Sequence, residues 1–106
     1  MNLKSKVIKH WKENLEKAQR GKLPDTRQAS CAYCRRYYAT LHSMRCNGCP
    51  ILEVTGEHFC RGTPYYRVAE LREEIFEQDG GSKYTWDALI RAIKAELEFL
   101  CSLPED

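Results

Sequence analysis

The chain has 106 residues, of which 42% are hydrophobic and 30% charged, with a formal net charge of +2. That length supports one domain with a modest core, and the composition excludes a wholly disordered chain. The longest apolar runs are too short to cross a membrane. The opening Met1-Asn2-Leu3-Lys4-Ser5-Lys6 lacks the apolar stretch and cleavage site of a signal peptide, so a cytoplasmic location is expected.

Residues 2–20 read as an amphipathic helix. Leu3, Val7, Ile8, Trp11, Leu15 and Ala18 recur at three- and four-residue steps and share one face. Gly21 is a C-terminal stop signal, and Pro24 opposes continuation. Residues 22–30 form a polar connector. Residues 31–62 show no sustained period, and Arg35–Leu41 fits either a short strand or a helical turn. Thr63-Pro64 predicts the start of a second helix, running to about residue 78, with threonine as N-cap and proline at the first helical position. Tyr65, Val68, Leu71, Ile75 and Phe76 form its expected buried stripe, and Gly80-Gly81 ends it. Thr85 is the expected cap of the last helix, with Asp87 in its first turn. Trp86, Leu89, Ile90, Ile93, Leu97, Leu100 and Cys101 supply its apolar face, which makes Cys101 a small core residue.

The central stretch carries the chemistry. Cys31-Ala32-Tyr33-Cys34 and Cys46-Asn47-Gly48-Cys49 are two C-x-x-C pairs separated by eleven residues, and Cys60 follows before Arg61-Gly62-Thr63-Pro64. Paired thiolates at this spacing suit tetrahedral metal coordination, and Asn47-Gly48 suits the tight turn that aims two sulfurs at one point. Without an export signal, such pairs point to metal before disulfides. Zn2+ is the expected ion, with an iron–sulfur cluster as the other metal reading. Leu41, Met44, Ile51, Leu52, Val54 and Phe59 are too few to hold this stretch by burial, and structural zinc is worth roughly 10–16 kcal/mol in small zinc peptides.

Five cysteines exceed one tetrahedral site. Cys31, Cys34, Cys46 and Cys49 are the default ligands, and Cys60 can replace one of them. His42 and His58 are less favoured ligands. A complete thiolate set leaves no open coordination position, so the site would be structural and the protein is expected not to be an enzyme. His58 with Cys60 makes a poor base–nucleophile pair, with no oxyanion device in view.

Charge is distributed unevenly. Residues 1–30 carry a net +5, residues 31–67 a net +3 and residues 68–106 a net −6. The basic part can meet nucleic acid or an acidic protein; alternatively, the basic and acidic segments complement each other within the fold or between copies. Arg35, Arg36, Tyr37 and Tyr38, with Arg45, Arg61, Tyr65, Tyr66 and Arg67, form the candidate binding segment. Arginine and tyrosine are enriched at protein interfaces, and they also grip phosphates and stack on bases.

The strings C-A-Y-C, C-N-G-C-P and T-G-E-H-F-C-R-G-T-P-Y resemble small cysteine-rich proteins of bacteriophages and prophages. The resemblance covers about residues 31–66. It implies five family-type cysteines here, at Cys31, Cys34, Cys46, Cys49 and Cys60. It brings no settled activity, and by association it suggests an accessory or anti-defence role in a bacterial host cell.

The expected fold is therefore mostly α, a single domain over residues 1–106. A small zinc-knuckle segment would sit between an N-terminal helix and a C-terminal pair of helices. The leading functional expectation is a non-enzymatic protein-binding module acting on a host or phage protein. The alternative is a nucleic-acid-binding zinc-finger regulator using the basic first helix and the Arg/Tyr segment. A small His-Asn-His-type nuclease is disfavoured, because only His42 lies between the two cysteine pairs.

Overall fold

A computed structural model describes residues 2–27, 32–33, 49–55 and 63–104. Four helices order this part of the chain: α1 Leu3–Gln19, α2 Pro50–Thr55, α3 Tyr65–Glu77 and α4 Lys83–Cys101. The described residues are mostly helical, and no strand occurs among them. No helix of the described residues is long and apolar enough to cross a membrane.

Helix α4 is the centre of the fold and packs against both α1 and α3. Its buried residues Leu89, Ile93, Glu96 and Leu100 follow four- and three-residue steps, so one stripe runs the length of the helix. Val7, Trp11 and Ala18 of α1 and Val68, Leu71 and Ile75 of α3 close over it in one apolar cluster. Trp11 meets Tyr65 edge to face, with ring centroids 6.3 Å apart, which joins α1 to the start of α3.

Local signals set the helix ends. The Asn2 side chain accepts from the Ser5 backbone N–H at 2.8 Å and caps α1. At the other end Gly21 takes a left-handed φ of 75°. Lys22 N–H donates to Lys17 O and Gly21 N–H to Ala18 O, closing the helix as expected. Helix α3 starts at the expected Thr63-Pro64 step but one residue later: Pro64, not Thr63, is the cap residue, its carbonyl accepting from Val68 N–H, while Thr63 Oγ1 accepts from Tyr65 N–H at 3.3 Å. Its end differs from expectation in detail. Asp79, not a glycine, is the first left-handed residue, at φ 53°. Gly80 N–H then reaches Ile75 O, and Asp79 N–H reaches Phe76 O.

Three expectations are corrected. Ser82, not Thr85, caps α4: Ser82 Oγ accepts from Thr85 N–H at 3.2 Å, and the helix begins three residues earlier. Serine precedes a full helical turn here, so Thr85 and Asp87 lie inside the helix. Cys101 is exposed rather than in the core. It lies on the last turn, one residue past Leu100, and the buried stripe passes from Leu100 to Leu103 instead. Phe76 is 69% exposed, since the step from Leu71 to Ile75 already fills the core-facing side of α3.

The connector after α1 is docked more firmly than its polar composition implied. Arg72 Nε donates to Pro24 O at 3.0 Å, and the Tyr65 hydroxyl donates to Thr26 O at 2.7 Å. Asn14, fully buried on the apolar face of α1, bonds the backbone of Asp25 through both amide atoms.

Candidate metal centre

Two short pieces of the cysteine-rich stretch fall within the described residues. Ala32 and Tyr33, the two residues between Cys31 and Cys34, are helical and buried. Cys49, the last cysteine of the second pair, is only 7% exposed. Its carbonyl accepts from Glu53 N–H at 3.1 Å, so Cys49 stands at the cap position of α2 and Pro50 at the first helical residue. Proline there forgoes no helical hydrogen bond, and Thr55 Oγ1 closes the short helix by donating to Ile51 O at 2.7 Å. The sequence reading missed α2; the Cys-Pro step was its one local signal.

These pieces share one environment. Ala32, Tyr33, Cys49 and Ile51 belong to the same apolar cluster as Trp11, Val68 and Leu89. Elements from both C-x-x-C pairs are thus anchored on one helical scaffold. Cys31, Cys34, Cys46 and Cys60 lie outside the described residues, as do His42 and His58. Among the described residues no group of three or more His, Cys, Asp or Glu could hold a metal. The donor set fits zinc chemically, since any four of the five clustered thiolates would complete a closed tetrahedral site. Cys49 is the one expected ligand within the described residues, and it is held where the core meets α2.

Of the expected binding segment, Arg35, Arg36, Tyr37, Tyr38, Arg45 and Arg61 lie outside the described residues. The remaining three divide. Tyr65 packs on Trp11 and bonds the connector, so it serves the fold. Tyr66 and Arg67 are exposed on α3.

Glu96 is a buried carboxyl that the sequence reading did not single out, although it falls on the stripe between Ile93 and Leu100. It is 2% exposed. Burial pushes its pKa up from the usual carboxylate range to about 7, and a hydrogen bond from the Tyr65 backbone N–H opposes that rise. Its carboxyl therefore faces the first turn of α3, where it shares the Tyr65 N–H with Thr63 Oγ1. Glu96, Thr63 and Asn14 are the buried polar residues among those described. Each of them engages backbone, so all three act in the scaffold.

No family model, curated protein or solved structure matches this chain.

Proposed function

We propose that this protein is a zinc-stabilised, non-enzymatic binding module that acts by occupying a surface on another protein. The observation that carries the reading is the common burial of Ala32, Tyr33 and Cys49 in the helical core. A closed thiolate site next to such a core would do structural work, because it leaves no position for substrate or activated water. Zn2+ held by four of Cys31, Cys34, Cys46, Cys49 and Cys60 would fix the segment between the pairs. Arg35, Arg36, Tyr37 and Tyr38 follow directly on Cys34 and would be presented on that clamp. Arginine and tyrosine are the residue types that dominate protein-interface energetics. The resemblance to phage and prophage proteins extends the reading to a host or phage partner, including inhibition of a host defence protein.

A second reading is supported by α1. Lys6, Lys9 and Lys12 are exposed at three-residue steps, and residues 1–12 contain no acid. Such a face suits phosphates, so a nucleic-acid-binding regulator is the alternative function.

Affinity purification from the infected or lysogenic host, with and without nuclease, separates the two. A partner protein that survives nuclease and is lost with Arg35→Ala/Tyr37→Ala, zinc being retained, supports the first reading. Fluorescence anisotropy with DNA and RNA at about 150 mM salt completes the test, because screening there matches physiological conditions. Sub-micromolar nucleic-acid binding abolished by Arg35→Ala/Arg36→Ala without metal loss would replace the first reading with the second.

A further inference from the structure

Helix α3 has a second organised face. Val68, Leu71 and Ile75 point into the core, while Tyr66, Glu70, Glu73 and Glu77 share the opposite side at three- and four-residue steps, with Phe76 at its flank. Tyr66 is 40% exposed and Phe76 69% exposed. Beside Tyr66 runs an open groove lined by Ala69, Glu70, Glu73, Glu74 and Glu77. A solvated helix face needs no exposed aromatic residue, and this one sets Tyr66 beside a row of acids.

The complementary surface lies on the same chain. Lys6, Lys9 and Lys12 are exposed at three-residue steps on α1, ahead of the exposed Glu13 and Glu16, and are opposite in sign to Glu70, Glu73 and Glu77 on α3. The fold does not use one to neutralise the other. Ion pairs among the described residues are local: Arg27 with Asp25, Arg67 with Glu70 at 3.7 Å, and Arg72 with Glu73. Among the described residues none joins the lysines of α1 to the glutamates of α3. The local Arg67–Glu70 pair is exposed at both ends and weak enough to exchange for another cation.

We propose that the outer face of α3 is the docking site for α1 of a second copy of this chain. Lysine ammonium groups would meet Glu70, Glu73 and Glu77. Their methylene stems would cover Tyr66, whose ring face also attracts cations. Each copy carries one basic and one acidic face on different helices. Made reciprocally, the contact closes a two-fold dimer; made head to tail, it builds rings or open chains. This inference does not rest on the metal or on the Arg/Tyr segment, so it stands or falls independently of the proposed function.

Sedimentation velocity on nuclease-treated full-length protein tests it. At about 10 mM salt, where charges act over roughly 30 Å, the mass should exceed the 12.4 kDa monomer and rise with concentration. At about 1 M salt, where they act over roughly 3 Å, it should return to monomer. Glu70→Lys/Glu73→Lys/Glu77→Lys and Lys6→Glu/Lys9→Glu/Lys12→Glu change only exposed side chains, and circular dichroism checks that each variant folds. Each variant alone should stay monomeric, because its two faces then carry the same sign. An equal mixture of the two should associate, since opposite faces again meet. A wild-type protein that is monomeric at low salt, or a mixture that remains monomeric, overturns the proposal.

Discussion

The Asn14 side chain pairs with the backbone of Asp25 as one strand pairs with another: Nδ2 donates to Asp25 O at 3.0 Å, and Asp25 N–H donates to Oδ1 at 2.9 Å. His10 Nε2 lies 3.0 Å from the same carbonyl. A carbonyl oxygen only accepts, so the proton sits on Nε2 of His10. A helix side chain thus does for the connector what a neighbouring strand would do. It turns the chain from α1 back toward the start of α3.

Asn14→Ala should therefore cost about 2 kcal/mol, since it leaves the Asp25 N–H without its acceptor and the Asp25 carbonyl with His10 alone, beside a closed core. Asn14→Asp should cost a similar amount at neutral pH, because a carboxylate has no donor for the Asp25 carbonyl. Urea denaturation measures both. A loss below about half a kcal/mol for Asn14→Ala would mean that water replaces the amide fully.

Glu96 makes stability depend on pH. Its pKa rises from 4.5 to about 7 on folding, so the folded protein holds this proton more tightly than the unfolded chain. The contribution is complete below about pH 4.5 and is lost as pH rises through about 7. A shift of that size corresponds to on the order of 3 kcal/mol as an upper bound. Glu96→Gln keeps an acceptor for Tyr65 N–H and has nothing to ionise. Its denaturation midpoint should exceed that of the wild type at pH 8, and the difference should shrink or reverse at pH 5. Parallel pH profiles for the two proteins would show that Glu96 does not titrate in this range.

The turn after α3 should respond with opposite signs at two neighbouring positions. Asp79 is left-handed at φ 53° and would be relieved by glycine, gaining up to about 1 kcal/mol. Gly81 is left-handed at φ 65°, and an added Cβ would lie 2.9 Å from Ile75 Cγ1. Gly81→Ala should lose at least about 1 kcal/mol. Thermal melts of the two single variants check this, and shifts of the same sign would contradict the turn geometry.

Metal content should follow the clustered cysteines alone. Elemental analysis of untagged protein should find about one zinc per chain and little iron. Cys34→Ser and Cys49→Ser should lose metal and soluble fold together. Cys101→Ala should keep the metal and change stability by no more than about half a kcal/mol, because Cys101 is exposed. A brown protein with stoichiometric iron and sulfide would reassign the site to an iron–sulfur cluster.

Sequence alone determined the three long helices, though not the short α2, because periodicity and end signals are local. The Val7–Trp11–Ala18 face, the Gly21 stop, the Thr63-Pro64 start and the Leu89–Ile93–Leu100 stripe each lie within a few residues of chain. Cysteine spacing likewise states a thiolate chemistry without any fold. Tertiary structure decided what each surface faces. Ser82 outcompetes Thr85 as a cap only once the start of α4 is placed. Cys101 and Phe76 emerge from the core because α4 and α3 already present Leu100, Leu103 and Ile75 to their neighbours. Asn14 and Glu96 carry polar side chains on apolar stripes, and hydropathy cannot show the distant backbone groups of Asp25 and Tyr65 that satisfy them. Polar groups can be buried only where a partner from elsewhere in the chain arrives, and the arrival of that partner is a property of the packed structure.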